Sequence, residues 1–457
     1  MNSKVTKEEA LRYHEYPVPG KIEVLPSKNY DSQLDISLAY SPGVAYPCLA
    51  IKDNPYDVFR YTGKGNLVAV ISNGTAVLGL GNIGPLAGKP VMEGKALLFK
   101  VFAGINCFDL ELDAAEPDRF VEAVKALAPS FGGINLEDIK APECFEIEER
   151  LKSELSIPVM HDDQHGTAII SSAAMLNAID IQGKRIGDLK VVVNGAGAAA
   201  VACTNLYIKL GVKRENVVMC DSKGVISVSR RDLSQLKKQF ATRRTDLKDL
   251  ADAMRGADLF LGLSVKDVVT PEMLVSMAPK PIVFALANPD PEIAYDKAIG
   301  SRSDLIFATG RSDYPNQINN VLGFPYIFRG ALDTRARAIN DEMKIAAAKA
   351  IASLARMAPD EEVKKIFPEE DLEFGRGYIL PKIFDPRILS AVAPAVAQAA
   401  MDSGVARERI EDMDSYRRQL DERRNHETEI IHCVTRHFCS CKDKKKQPIC
   451  PLPATCG

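Results

Sequence analysis

Gly195-Ala196-Gly197-Ala198-Ala199-Ala200 fits a GxGxxA pattern directly behind the apolar run Val191-Val192-Val193. A glycine at 195 permits a tight strand-to-helix turn. A glycine at 197 lets a pyrophosphate approach the unpaired N–H groups of a helix start. Asp221 ends the next apolar run, where a carboxylate can hold an adenosine ribose. The pattern points to a dinucleotide site; the plainer reading is a glycine turn needed for helix–strand packing. A second pattern is acidic. Glu137-Asp138 follow an apolar run and Asp162-Asp163 precede a helical one. A hard divalent cation such as Mg²⁺ or Mn²⁺ takes oxygen ligands of this kind, although each pair taken alone is more often solvated or capping. Tyr40 lies in the turn segment LAYSPG, and Lys95 in GKPVMEGKALLFK enters an apolar segment read as a strand. A desolvated lysine loses pKa and can act as a base; the plainer readings are a packed aromatic ring and a snorkelling lysine.

The elements that must position these residues follow from glycine, proline and apolar periodicity. LVAVIS, NGTAVLGLGNIGP and ALLFKVFAGI read as strands with tight glycine turns. Residues 116–127 have apolar side chains at helical spacing, and GINLEDI reads as a strand running into a loop. AIISSAAMLNAI reads as a strong helix with Thr167 as its N-cap. After Gly183 strands and helices alternate: the VVVNGAGAAA unit, ENVVMCDSKG, DLFLGLS, PIVFALANP and DLIFATG. That alternation predicts an α/β fold with a doubly wound, Rossmann-like parallel sheet behind a smaller N-terminal α/β substrate domain. Residues 331–358 and 388–420 read as long helices. The expected domains are 1–160 (catalytic), 161–400 (dinucleotide-binding), 401–424 (a helical segment) and 425–457 (an atypical tail).

Composition narrows the function. The 457 residues carry 58 Lys+Arg against 61 Asp+Glu, a net charge of -3, which excludes a general nucleic-acid or polybasic membrane binder. No apolar run reaches the length of a membrane span. The charged opening MNSKVTKEEALRYHE lacks a signal-peptide core, and the scattered cysteines suit a reducing compartment, so a cytoplasmic protein is expected.

LAYSPGVAYPC, AVLGLGNIGPLAGKPVMEGKALLFK, INLEDIKAPECFEIE, PVMHDDQHGTA, VNGAGAAA, FALANPDPEI and TGRSDYPNQINNVLGFPYIFRG, in that order, resemble malic enzyme. The resemblance runs from about residue 8 to about residue 424. It is nearest the bacterial NADP-dependent form, which is often fused to a phosphotransacetylase-like domain. The resemblance implies oxidative decarboxylation of L-malate to pyruvate and CO₂, with oxaloacetate decarboxylation beside it. It makes Tyr40 the acid that protonates enolpyruvate, Lys95 the base and Asp162 the charge partner of Lys95. Glu137, Asp138 and Asp163 would hold Mg²⁺ or Mn²⁺. Gly195, Gly197, Ala198, Ala200 and Asp221 would bind the dinucleotide, Asn288 both cofactor and substrate, and Asn320 a substrate carboxylate. A homo-oligomer is the family expectation.

For the cofactor, Asp221 favours NAD⁺, because a carboxylate repels a 2′-phosphate, whereas Ser222 and Lys223 favour NADP⁺. CDSKG resembles the NADP-preferring version, so NADP⁺ is expected, with NAD⁺ as the alternative. One departure stands out. Where larger malic enzymes carry a malate-contacting arginine, this chain has Thr75-Ala76-Val77, and Arg311, Lys140 or another residue would have to serve. The tail from about Arg424 holds half of the ten cysteines and half of the six histidines without metal-site spacing. It reads as a frame-shifted or truncated, disordered end. The other readings are a malate dehydrogenase that stops at oxaloacetate and an inactive relic with an altered C-terminus.

Overall fold

The computed structural model describes residues 5–440. Four short parallel strands form the first sheet: β1 (Leu67–Ser72), β2 (Asn106–Glu111), β3 (Gly133–Leu136) and β4 (Val159–His161), in the order β2-β1-β3-β4. Central β1 and β3 are apolar almost throughout, as strands covered on both faces must be. Leu136 is in register with His161, so the two acid pairs leave neighbouring strands at the same, C-terminal, edge.

The expected strands at NGTAVLGLGNIGP and ALLFKVFAGI are not strands. Residues 73–84 form a loop, tight because Gly74 lies in the left-handed region (φ +66) with room for no side chain: a Cβ there would stand 2.2 Å from the Gly84 carbonyl oxygen. ALLFKVFA is the last half of a helix, Pro85–Ala103, with proline in its first turn and Gly104 as its left-handed C-cap. Met92, Ala96, Phe99 and Ala103 are its buried stripe. Lys95 therefore projects from a helix.

The second sheet runs β10-β9-β8-β5-β6-β7. β5 (Val191–Asn194), β6 (Val217–Asp221), β8 (Leu259–Gly262), β9 (Ile282–Ala285) and β10 (Ile306–Thr309) are parallel, and β7 (Gly224–Val225) closes the edge as a hairpin. Chain order reverses between β8 and β5, the switch point of a doubly wound sheet. The helix Asp162–Gln182 lies between the sheets, and one apolar core joins β1 residues Val68 and Val70 to β5 residues Val191 and Val193. This helix starts five residues before the expected cap at Thr167. Asp162 and Asp163 form its first turn, where the helix dipole favours carboxylates.

Residues 331–358 are two helices, the end of Phe324–Asp333 and Asp341–Arg356, and the 388–420 stretch is likewise split, into Ile388–Asp402 and the start of Met413–Ser440. The change of composition at Arg424 is not a structural break, because the last helix continues through it to Ser440. Cys441, Cys450 and Cys456 lie outside the described residues. At the other end, the helices Lys7–Glu15, Gln33–Ala39 and Ala45–Asp53 bury none of their residues. This arm touches the body through Lys21, whose N–H donates to Glu93 and whose ammonium donates to the Pro90 carbonyl. Among the described residues no helix is long and apolar enough to cross a membrane.

Candidate active site

The C-terminal edge of the first sheet gathers a lysine and four acids. Lys95 Nζ lies 2.6 Å from Asp162 Oδ2 and 2.8 Å from Glu137 Oε1, and its charge sits 4.2 Å from the centre of the Phe324 ring. Asn135 donates to Glu137 at 2.8 Å. The Asp138 N–H donates to Asp163 at 2.7 Å, which ties the two acid pairs together. Asn320 donates to Asp162 at 3.2 Å, and Thr167 donates to Asn320. Gly166 is required beneath this contact, since a Cβ there would be 2.3 Å from Asp162 and 2.7 Å from Asn320.

The site is electrostatically crowded. Burial pulls the Lys95 ammonium down, but Asp162 and Glu137 more than offset it, so the group stands above the ordinary lysine range. Burial, then Asp163 and Asp162, push Glu137 well up against the pull of Lys95. Burial and Glu137 push Asp138 up to about 7, and burial and Asp138 do the same to Asp163. Buried carboxylates this close resist sharing their charge without a cation. Asp138 Oδ2 and Asp162 Oδ1 are buried without a hydrogen-bond partner. Among the described residues no three His, Cys, Asp or Glu side chains already converge as a formed metal site. The donor chemistry and the unused oxygens nevertheless fit a hard divalent cation.

Tyr40 is not in this cluster. It ends the Gln33–Ala39 helix on the arm, 75% exposed. Asn288 follows β9 and lies beside Gly310, and its carbonyl stands 3.6 Å from where a Cβ on Gly79 would be. The loop 73–84 of the first sheet thus meets the β9 loop of the second. Neither candidate for the absent arginine is free: Arg311 binds Asp313 and lies near Asp290, and Lys140 pairs with Glu143.

At the second sheet, Gly195 (φ +116) is obligatory, because a Cβ would lie 2.3 Å from the Leu263 carbonyl oxygen. Gly197 caps the helix Ala198–Leu210 without a side-chain bond, and nothing lies within 4 Å of where its Cβ would be. Open space over uncapped N–H groups is what a pyrophosphate requires. Ala200, fully buried, packs the turn onto the core.

Beside it the chain holds a charge network that sequence reading missed. Arg230 grips Asp221 with two bonds, at 2.7 and 3.1 Å, and Lys237 adds a third at 2.6 Å. Burial alone would raise the Asp221 carboxyl, but Arg230 and Lys237 bring it down to about 2. Lys223 donates its backbone N–H to Asp221 and pairs its ammonium with Asp232, while Ser222 is exposed. Three cations thus surround two carboxylates. The signal in the sequence was the basic run SRRDLSQLKK that follows DSKG.

Comparison with known proteins matches residues 19–152 to the family model "Malic enzyme, N-terminal domain" and residues 164–401 to "Malic enzyme, NAD binding domain". The chain is 58% identical over 417 residues to the NADP-dependent malic enzyme of Escherichia coli (91% of this chain, 55% of that protein). It is 56% identical to the NADP-dependent malic enzyme of Halomonas elongata (88% and 95%), and 56% identical to an NAD-dependent malic enzyme of Rhizobium meliloti (91% and 54%). The chain spans about half the length of the Escherichia and Rhizobium relatives. The crystal structure of malic enzyme from Pyrococcus horikoshii is similar to it, with a TM-score of 0.85 at 42% identity, covering 95% of this chain and all of that one.

Proposed function

The chain belongs to the malic enzyme family, and from that premise we propose that it oxidises L-malate with NADP⁺ and releases pyruvate and CO₂. The observation that carries the reading is the buried Lys95 held between Glu137 and Asp162. In its neutral amine form Lys95 takes the malate hydroxyl proton, and Asp162 then holds the ammonium that results. Asn288 and Asn320 receive the substrate carboxylates. Glu137, Asp138 and Asp163 hold Mg²⁺ or Mn²⁺, which when bound polarises the substrate oxygen and eases both oxidation and loss of CO₂. The same cluster serves oxaloacetate decarboxylation. Gly195, Gly197, Ala198 and Ala200 cradle the dinucleotide that accepts the hydride. Unpaired thiols at Cys107, Cys144, Cys203 and Cys220 suit a cytoplasmic setting.

NADP⁺ is the better fit because Asp221 is already neutralised. Arg230 and Lys237 cancel its repulsion of a 2′-phosphate, and Ser222 and Lys223 stand exposed to receive one. Absorbance at 340 nm with L-malate, Mn²⁺ and either cofactor, followed by a pyruvate assay, tests the reading. Metal-dependent NADPH formation with one pyruvate per NADPH is expected. Reduction without pyruvate would leave a plain dehydrogenase, and no reduction at all an inactive relic. Lys237→Ala and Lys223→Ala should each raise KM for NADP⁺ about tenfold and KM for NAD⁺ far less, a difference of about 1.4 kcal/mol for a charge-assisted contact. Equal effects on both cofactors would remove the argument for NADP⁺.

Tyr40 reaches an active site through a second copy of the chain. The arm exposes Tyr13, Leu34, Leu38, Tyr40, Tyr46 and Leu49, apolar side chains that a partner chain would cover. A symmetric dimer covers it with the same arm of the partner and carries Tyr40 toward the partner's Lys95 cluster, where it protonates enolpyruvate. Tyr40→Phe and Lys95→Met chains, each nearly inactive alone, should recover about a quarter of wild-type sites when co-expressed, since random pairing makes half heterodimers with one intact site each. No recovery in a verified heterodimer would place Tyr40 in its own chain's site.

A further inference from the structure

Glu292 is a fully buried carboxylate outside the acidic cluster, and among the described residues no cation pairs with it. It lies between β9 and β10. Its Oε1 accepts from the Ser264 N–H at 2.9 Å and from the Ser264 hydroxyl at 3.2 Å, and its Oε2 accepts from the Ala287 N–H at 3.1 Å. The Ser264 hydroxyl accepts in turn from Asn194 at 2.7 Å. Gly262, the last residue of β8, leaves the space the carboxylate fills: a Cβ there would be 2.4 Å from the Glu292 carboxyl carbon. Leu263, between Gly262 and Ser264, donates its N–H to the Asn194 carbonyl, and its own carbonyl closes on Gly195.

One carboxylate therefore ties together the ends of three strands: β5 through Asn194, β8 through Ser264 and β9 through Ala287, the residue before Asn288. These ends flank the switch point, where a doubly wound sheet receives a dinucleotide. Asp221 at the end of β6 fixes the adenosine side, so the nicotinamide side falls across the ends of β8 and β9. A buried carboxylate without a counter-ion is expensive, and a structural tie could be made by an apolar residue. What an apolar residue could not do is hold two backbone N–H groups and a hydroxyl at one point.

We propose that Glu292 is a positioning residue for the nicotinamide half of the cofactor, holding the loops of Leu263 and Asn288 against the Gly195 turn so that the ring meets the Lys95 cluster at a fixed angle. The inference rests on the dinucleotide reading of the second sheet.

Glu292→Gln tests it. The amide keeps the shape but replaces one acceptor oxygen with a donor, which leaves the Ser264 or the Ala287 N–H unaccepted. Ser264→Ala breaks only the bridge to Asn194 and serves if Glu292→Gln folds poorly by circular dichroism. In each variant NADPH, titrated by its own fluorescence, should bind within about threefold of wild type, since its phosphates and adenosine are untouched. The fluorescence anisotropy of the bound nicotinamide should fall. kcat for malate should drop by about 10- to 100-fold, as misplacement of a reacting group by a fraction of an ångström to one ångström does. The deuterium isotope effect on kcat with 2-deuterated malate should rise. The inference is overturned if NADPH affinity falls in step with kcat, or if anisotropy and isotope effect do not move. Failure of the wild-type protein to bind either NADPH or NADH overturns the dinucleotide reading itself, and the inference with it.

Discussion

Lys95→Met should lower kcat for malate oxidation by about 10²- to 10⁴-fold, the range for loss of a positioned general base, with pyruvate and NADPH falling together. Lys95 supplies two things at once. It is the only cation within hydrogen-bond reach of Glu137 and Asp162 among the described residues, and it is the base of the proposed reaction. Methionine fills much of the same volume but leaves the buried acids facing one another. They answer by holding protons, which burial already favours at Glu137, Asp138 and Asp163. The variant should therefore unfold at a lower temperature without metal and regain more stability from saturating Mn²⁺ than wild type does, because the divalent ion replaces the lost charge. Lys95→Arg should not restore turnover, since a guanidinium keeps the charge but cannot give up its proton. Steady-state rates at 340 nm and thermal unfolding with and without Mn²⁺ separate the two roles. A Met variant that keeps a tenth of wild-type kcat, or an Arg variant that restores it, would remove Lys95 from the chemistry.

The residues of this site were readable, but their arrangement was less so. The GxGxxA turn, the strand before it and Asp221 after it were legible because each uses a local rule: a glycine at positive φ, an apolar run, a carboxylate at a strand end. The acid pairs were legible as types, but their meeting depends on β3 and β4 being neighbours in register, and no local pattern carries that. The helix bearing Lys95 is hidden in the sequence because ALLFKVFAGI is apolar at almost every position, and a short dense run has no period to distinguish helix from strand. Its Pro85 start and Gly104 stop were the better signals. Thr167 has the side chain of a cap, but the start of the helix is set by the strand handing over directly to Asp162. Arg230 and Lys237 lie 9 and 16 positions beyond Asp221, and only the fold of the edge hairpin brings them back to it. Composition misled at Arg424, where the text changes and the helix does not.

Arg329→Met should destabilise the protein by about 3–5 kcal/mol, the usual consequence of removing one partner of a buried ion pair, without touching the active site. Arg329 is 1% exposed. Its guanidinium binds both carboxylate oxygens of Asp333 one helical turn on, and Asn66 Oδ1 ahead of β1. Asn66 in turn donates to the Gly104 carbonyl at 2.9 Å. The Tyr416 hydroxyl, from the last helix, donates to the same Asp333 at 2.7 Å. One guanidinium thus joins the helix Phe324–Asp333 and the residue ahead of the first sheet, and through Asp333 the C-terminal helix. Methionine matches the stem but leaves Asp333 with Tyr416 as its remaining partner and Asn66 with an empty acceptor. The midpoint of urea unfolding should fall, because the lost bonds are those that tie the helix Phe324–Asp333 to the first sheet. Removing both charges is the informative control. Arg329→Met with Asp333→Leu should recover at least half of the loss, since an uncharged pair needs no buried counter-ion. If the double variant is as unstable as the single one, the stability comes from the Asn66 and Tyr416 hydrogen bonds, and the ion pair is a bystander between them.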